Sequence, residues 1–118
     1  MGAIPSGVKV EEITLRTGVR AERGSVVTFH YRGYLHRGGQ FLSSSDKGGP
    51  LQVHLGRREV IVGLERGSLG MRVGGQRRLI ISPHLAYGAA GVPGIIPANA
   101  VVIVEVELLD VQGPNSAA

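Results

Sequence analysis

Cysteine and tryptophan are absent from this 118-residue sequence, and what is missing limits the chemistry that the chain can perform. Without cysteine it forms no disulfide, no thiolate nucleophile and no thiolate metal site. No stretch approaches the roughly 18 apolar residues of a membrane-spanning helix, since the longest, 95–104, is interrupted by Pro97 and Asn99. The first residues lack the pattern of a secretory signal. We therefore expect one soluble, cytoplasmic domain that makes no membrane contact.

Aromatic residues are also few, which bears on the basic charge. The net charge is +4, and most of the 13 basic residues are arginines scattered along the chain. A nucleic-acid interface would need a basic run or aromatic residues interleaved for base stacking, and neither is present. The arginines are better explained as solvated faces of strands and helices, so no nucleic-acid partner is predicted.

The familiar catalytic motifs are missing as well. The sequence has no G-x-S-x-G elbow, no P-loop and no dinucleotide fingerprint. Its four histidines lie far apart, without the close pairs typical of zinc sites. The serines at 43–45 with Asp46 are typical of a turn, in which such side chains bond nearby backbone groups. No metal and no cofactor is predicted.

Most of the chain has the composition of strands. Segments rich in β-branched and aromatic residues predict strands at 8–15, 25–35, 52–55, 76–82 and from 101 onward, with a hairpin turn at 36–40. The last strand alternates clearly, because Val104, Val106 and Leu108 face one way and Glu105 and Glu107 the other.

One segment, "EVIVGLERGSLG" at 59–70, breaks the strand period. Val60, Ile61, Leu64 and Ser68 share one helical face, while Gly70 suits a C-terminal cap. Glycines at 63 and 67 weaken a helix, so this one should be short and should depend on packing. These patterns predict an α+β domain in which a mostly antiparallel sheet covers one helix.

The segment "HLAYGAAGVPGIIP" at 84–97 is a loop by composition, yet it contains bulky apolar side chains. Its glycines and prolines exclude a regular helix or strand. A loop that includes Tyr87, Ile95 and Ile96 either folds back on a core or forms the wall of a pocket.

Several motifs together resemble the FKBP-type peptidyl-prolyl cis–trans isomerases. They are "VTFHYRGYL", "LGRREVIVGLERGSLGMRVGGQRRLIISPHLAYGAAGVPGIIPANA" and "VEVELLDV", in the order and spacing of that family. The resemblance covers residues 8–111 and implies the minimal single-domain form, with flexible termini at 1–7 and 112–118. It implies a five- or six-stranded antiparallel sheet wrapped around a short helix.

The resemblance also implies a pocket that receives a proline ring and needs no nucleophile. The backbone N–H of Ile61 and the hydroxyl of Tyr87 would hold the substrate in that pocket. Core packing is the competing explanation for Val60, Leu64 and Val104. The catalytic residues so implied are Tyr31, Phe41, Ile61 and Tyr87. The implied substrate contacts are Val60, Leu64, Ile96, Val104, Leu51 and Leu42, with Ile95 on the rim.

The predicted pocket departs from the family at informative positions. Leu64 stands where the family has tryptophan, Leu42 where it has aspartate, and Leu51 and Val104 where aromatics are common. A less aromatic pocket predicts weaker contact with a proline ring and with macrolide inhibitors.

Two functions remain open after the sequence is read. The chain is either a prolyl isomerase of reduced activity that assists folding, or a non-catalytic FKBP-like module that binds a peptide or protein. Proline-containing peptides or unfolded protein segments are the expected partners of the isomerase, and a monomer is the expected state.

Overall fold

The computed structural model describes residues 7–14, 17–36, 40–43 and 49–112, and for 40–43 the backbone alone. Residues 1–6 and 113–118 of the predicted termini, residues 37–39 of the hairpin turn predicted at 36–40 and residues 44–46 of the turn predicted at 43–46 lie outside these ranges. Among the described residues, no helix has the length and apolar character to cross a membrane. The elements run β1 Val8–Thr14, β2 Val26–Leu35, β3 Gln40–Ser43, β4 Leu51–His54, α1 Val62–Ser68, β5 Gln76–Ile81 and β6 Val102–Gln112.

All the strands belong to one antiparallel sheet. Its order is β1-β5-β6-β2, and the far side of β2 pairs with both β3 and β4. The two short strands lie end to end, since β4 pairs with Val26–Phe29 and β3 with Arg32–Tyr34. Six strands therefore fill five positions, and the α+β prediction is confirmed. Sequence patterns missed β3, which is short and borders residues whose composition is typical of a turn.

The core lies between one face of the sheet and α1. On β6 the buried residues are Val102, Val104, Val106, Leu108 and Val111, and Glu105 and Glu107, which alternate with the valines, lie on the opposite face. The alternation predicted for this strand is thus confirmed.

Helix α1 is shorter than the periodic segment that predicted it. It begins at Val62, so Val60 and Ile61 precede it, and Ile61 is its N-cap. Both of its glycines face β5: a Cβ on Gly67 would lie 2.7 Å from the methyl carbons of Leu79, and one on Gly63 would collide with Ile81. The helix packs at a distance that only glycine permits, which explains why a segment with poor helix propensity is helical here.

One arginine fastens the helix to the sheet. Arg77 on β5 donates from Nη1 to the carbonyls of Gly67 (2.8 Å) and Leu69 (2.7 Å), and from Nε to Glu12 on β1 (2.8 Å). Carbonyls at a helix C-terminus have no partner within the helix. Arg77 therefore satisfies the end of α1 and joins it to the edge strand.

Candidate functional site

A largely apolar cavity of about 480 Å³ opens beside the start of α1. Strand, helix and loop all contribute to its walls, and Glu59, the one charged residue among the described residues of the lining, is exposed. The residues that line it are Tyr31, Gly33, Leu51, Glu59, Val60, Ile61, Leu64, Tyr87 and Val104.

The sheet supplies one wall of this cavity. Tyr31 and Gly33 lie two residues apart on β2 and so share a face, and Gly33 pairs with Val104 of β6. The ring of Tyr31 packs edge-to-face on the fully buried Phe29, with 6.1 Å between centroids. A rigid core residue thus fixes the tyrosine that faces the cavity.

The start of α1 supplies a hydrogen-bond donor. The carbonyl of Ile61 accepts from the N–H groups of Leu64 (3.1 Å) and Glu65 (3.2 Å). Its own N–H donates to no acceptor in the described ranges. Because the first N–H groups of a helix have no partner within it, this donor is available to a ligand in the cavity.

Two carboxylates hold the loop that leads into the helix. Glu59 accepts from the N–H of His54 (2.9 Å). One oxygen of Glu65 accepts from the N–H groups of Gly56 (3.0 Å) and Arg58 (3.1 Å). The loop 54–60 is therefore fixed by side chains from its own end and from α1, and this bracing positions Val60 and Ile61.

The long loop after β5 closes the remaining side. It opens with a short 3-10 helix, Pro83–Leu85. Hydrogen bonds within the loop follow, in which the N–H of Gly91 donates to the backbone carbonyl of Tyr87 and the N–H of Val92 to that of Ile96. At Gly91, where φ is +61°, a Cβ would lie 2.7 Å from the Pro97 carbonyl oxygen. This compact path places Tyr87 in the cavity wall.

The structure brings seven predicted site residues together: Tyr31, Leu51, Val60, Ile61, Leu64, Tyr87 and Val104. Ile96 is 5% exposed and does not line the cavity, while Ile95 is 55% exposed. Phe41 and Leu42 lie on β3, where only the backbone is described. Leu42 pairs with Gly33, and Phe41 is the extra residue of a β-bulge.

Two lining residues were missed from the sequence. Gly33 carried a usable signal, because it lies two positions from Tyr31 and a glycine inside a strand often marks close approach of another group. Glu59 directly precedes Val60, yet nothing in its sequence context separates a braced carboxylate from an ordinary surface one.

The electrostatics of the cavity are those of a poorly solvated site. Burial raises the pKa of the Tyr31 hydroxyl. Burial also raises the pKa of the Tyr87 hydroxyl, and electrostatic repulsion from Tyr31 raises it further. Both hydroxyls are therefore protonated at neutral pH and can donate. Across the described ranges, no three His, Asp or Glu side chains cluster as a metal site would require.

Comparison with known proteins adds an independent observation. The family model described as FKBP-type peptidyl-prolyl cis-trans isomerase matches residues 18–109. A Xenopus laevis protein named peptidyl-prolyl cis-trans isomerase FKBP1A is 48% identical over 87% of this chain and 96% of its own length. FK506-binding protein 1A of Neurospora crassa is 44% identical over 91% of this chain and 90% of its own length. The FK506-binding protein of Neisseria meningitidis is 43% identical over 89% of this chain and 96% of its own length.

Proposed function

The chain belongs to the FKBP-type peptidyl-prolyl cis–trans isomerases, and from this premise we propose that the cavity beside α1 is where it isomerises Xaa-Pro bonds. The observation that supports the site most directly is the available N–H of Ile61 beside an apolar cavity lined by Tyr87. A proline ring is apolar and its flanking carbonyls accept hydrogen bonds. The cavity offers a complement to both.

The reaction breaks no bond, so the site needs no nucleophile. Rotation about the peptide bond costs roughly 18–20 kcal/mol because resonance is lost at the twisted geometry. The twisted amide has less charge separation than the planar one, so an apolar environment favours it relative to water. Each tenfold acceleration requires about 1.4 kcal/mol of such selective stabilisation.

Two donors orient the substrate in this proposal. The N–H of Ile61 and the hydroxyl of Tyr87 bind carbonyl oxygens beside the proline and hold the chain while the bond rotates. Tyr31 acts as an apolar wall, and Leu51, Val60, Leu64 and Val104 surround the ring. Phe41 as a catalytic residue, and Leu42, Ile96 and the rim residue Ile95 as substrate contacts, are carried over from the family resemblance.

The aliphatic residues at the base of the cavity set the expected rate. Leu64 is 6% exposed and Val104 5%, so both form the base of the cavity as well as part of the core. Aliphatic side chains give a proline ring less contact than a flat indole does. We propose a slower isomerase with weakened affinity for FK506-like macrolides.

The cellular setting follows from the same proposal. The protein acts in the cytoplasm as a monomer, on proline-containing peptides and unfolded segments, and so assists folding. The alternative is a binding module without catalysis, which would use the same cavity and donors, and no observation on the described residues favours it over the isomerase.

The test is exchange-detected interconversion of a short Leu-Pro peptide by NMR. Tyr87→Phe should slow catalysis about fivefold, as expected for the loss of one hydrogen bond worth about 1 kcal/mol. Leu64→Trp should raise catalysis about fivefold through added aromatic contact. Tyr34→Phe is the matched control, because Tyr34 lies on the opposite face of β2 and does not line the cavity.

The outcomes separate the two functions. Catalysis that responds as stated supports the isomerase. A native chain that binds the peptide without accelerating exchange, with a rate appearing only in Leu64→Trp or Leu42→Asp, would identify the protein as a binding module.

A further inference from the structure

A second cavity, of about 390 Å³, borders the loop that precedes α1 and α1 itself. Three arginines and three aliphatic residues contribute to its lining, together with Gly56 and Glu65. We call it the arginine cavity, after Arg23, Arg58 and Arg66, with its aliphatic part formed by Val62, Leu69 and Leu85.

Its arginines differ from the three that are engaged within the fold, and unlike Arg20, Arg32 and Arg57, which also make no side-chain bond in the described part of the chain, they line one cavity together. Arg72, Arg77 and Arg78 are engaged with carbonyls or carboxylates. In the described part of the chain, the guanidinium groups of Arg23, Arg58 and Arg66 make no hydrogen bond and no ion pair. Three exposed positive charges thus converge on one cavity without an internal partner.

The one carboxylate in the cavity is occupied with the backbone. An oxygen of Glu65 accepts from the N–H groups of Gly56 and Arg58. Arg58 is held there in a left-handed conformation, with φ at +57°, which is uncommon for a residue other than glycine. The Arg23 side chain lies over Gly56, with its Cγ 3.3 Å from where a Cβ would be. Two of the three arginines are therefore tied to the braced loop.

The aliphatic side of the cavity restricts the kind of ligand. Leu69 is 38% exposed, and Val62 and Leu85 lie beside it in the lining. A small anion would leave this apolar surface uncovered. A peptide with carboxylates next to an apolar side chain complements both parts, because guanidinium groups pair strongly with carboxylates. A nucleic acid fits less well, since none of the described residues that line the cavity is aromatic and able to stack on a base.

The position of the cavity connects it to the proposed active site. Val62 lines the arginine cavity and its neighbour Ile61 lines the apolar one, while Arg58 lies three residues before Ile61. The Cα atoms of Arg58 and Ile61 are therefore at most roughly 11 Å apart. An extended peptide covers that distance in about three to five residues.

We propose that the arginine cavity binds an acidic, partly apolar segment of the substrate about three to five residues from the proline. This specificity rests on the isomerase function proposed above, since it concerns the same bound peptide. The isomerase would then favour proline sites flanked by acidic sequence, and that preference would weaken as salt screens the charges.

The test compares kcat/KM for two Leu-Pro peptides that differ only at positions about three to five residues from proline, where one has Glu and the other Gln. Acidic residues are placed on each side of the proline in turn. We expect about a fivefold preference for acid on one side, falling close to one in the Arg58→Gln/Arg66→Gln variant and at high salt. Arg32→Gln is the matched control, because it removes an exposed arginine from the outer face of β2.

The outcomes distinguish the two proposals. Equal kcat/KM of the native chain for the Glu and Gln peptides would overturn the proposal that the arginine cavity binds acidic sequence, while the isomerase proposal would stand. If no peptide is isomerised, binding of a proline-free acidic peptide, measured by fluorescence anisotropy with the same variants, still decides for or against the cavity. Arginine-dependent binding of a single-stranded oligonucleotide, with no binding of the acidic peptide, would overturn it in favour of a nucleic-acid ligand.

Discussion

Tyr87 illustrates how much the loop contributes to the proposed site. The residue lies in a glycine-rich segment, yet burial and Tyr31 raise the pKa of its hydroxyl. A raised pKa means that the proton leaves at a higher pH than in a free tyrosine, whose pKa is about 10. The donor therefore persists throughout the neutral and mildly alkaline range.

The pH dependence of catalysis and stability follows from this direction. We expect the isomerase rate to be level from about pH 6 to 9 and to fall only above about pH 10, as Tyr87 ionises. Stability should fall in the same alkaline range, since the unfolded tyrosine ionises first and draws the equilibrium toward the unfolded chain. Urea unfolding near pH 9 and pH 11 measures this. A Tyr87→Phe variant that loses stability as steeply as the native chain would contradict the assignment.

At the scale of single elements, the sequence patterns predicted the strands and the helix segment with regular periodicity, and they did not predict the short strand β3 or the exact start of α1. The alternation of β6 is regular enough to assign each side chain to a face, and Val104 fell on the correct one. The start of α1 was placed too early because Val60 and Ile61 satisfy a helical period, although their backbone belongs to the braced loop. That bracing depends on Glu65 and Gly56, nine residues apart, and no local pattern encodes such a contact.

The contact between α1 and β5 gives a prediction at this scale. Gly67→Ala should destabilise the fold by about 1–2 kcal/mol, because overpacking against Leu79 outweighs the gain in helix propensity. Gly63→Ala should cost more, since its Cβ would collide with Ile81. Urea denaturation measures both, with the exposed Arg66→Ala on the same helix as the control. A neutral or stabilising Gly67→Ala would show that the helix does not need glycine to pack on β5.

For the whole molecule, the sequence predicted the fold class but not the ties between distant elements. Arg77 could be assigned to a strand, yet its contacts with Glu12, Gly67 and Leu69 depend on how β1 and α1 are arranged around β5. The same holds for the arginine cavity, whose members come from three separate segments. The arginines are scattered along the sequence and predict no site there, whereas the fold brings three of them to one cavity.

Two adjacent arginines on β5 test how the molecule is tied together. Arg77→Ala should lower the free energy of unfolding by about 2–3 kcal/mol, because it removes charged hydrogen bonds that satisfy two carbonyls and a carboxylate. Arg78→Ala should cost much less, since that side chain is 46% exposed and its ion pairs are solvated. Equal losses in the two variants would show that α1 is not held by Arg77.

The divided edge of the sheet affects how readily the protein could pair with other extended chains. A chain that meets extended, unfolded segments risks being recruited into their aggregates through its own free strand edges. Here one edge consists of two short strands end to end, and the other, β1, has a bulge near Thr14 and includes Lys9 and Glu11. Within the described residues, neither edge presents a long, regular row of unpaired amides. The strand arrangement that frames the pocket therefore leaves the described edges poorly suited to template the aggregation of extended peptide chains.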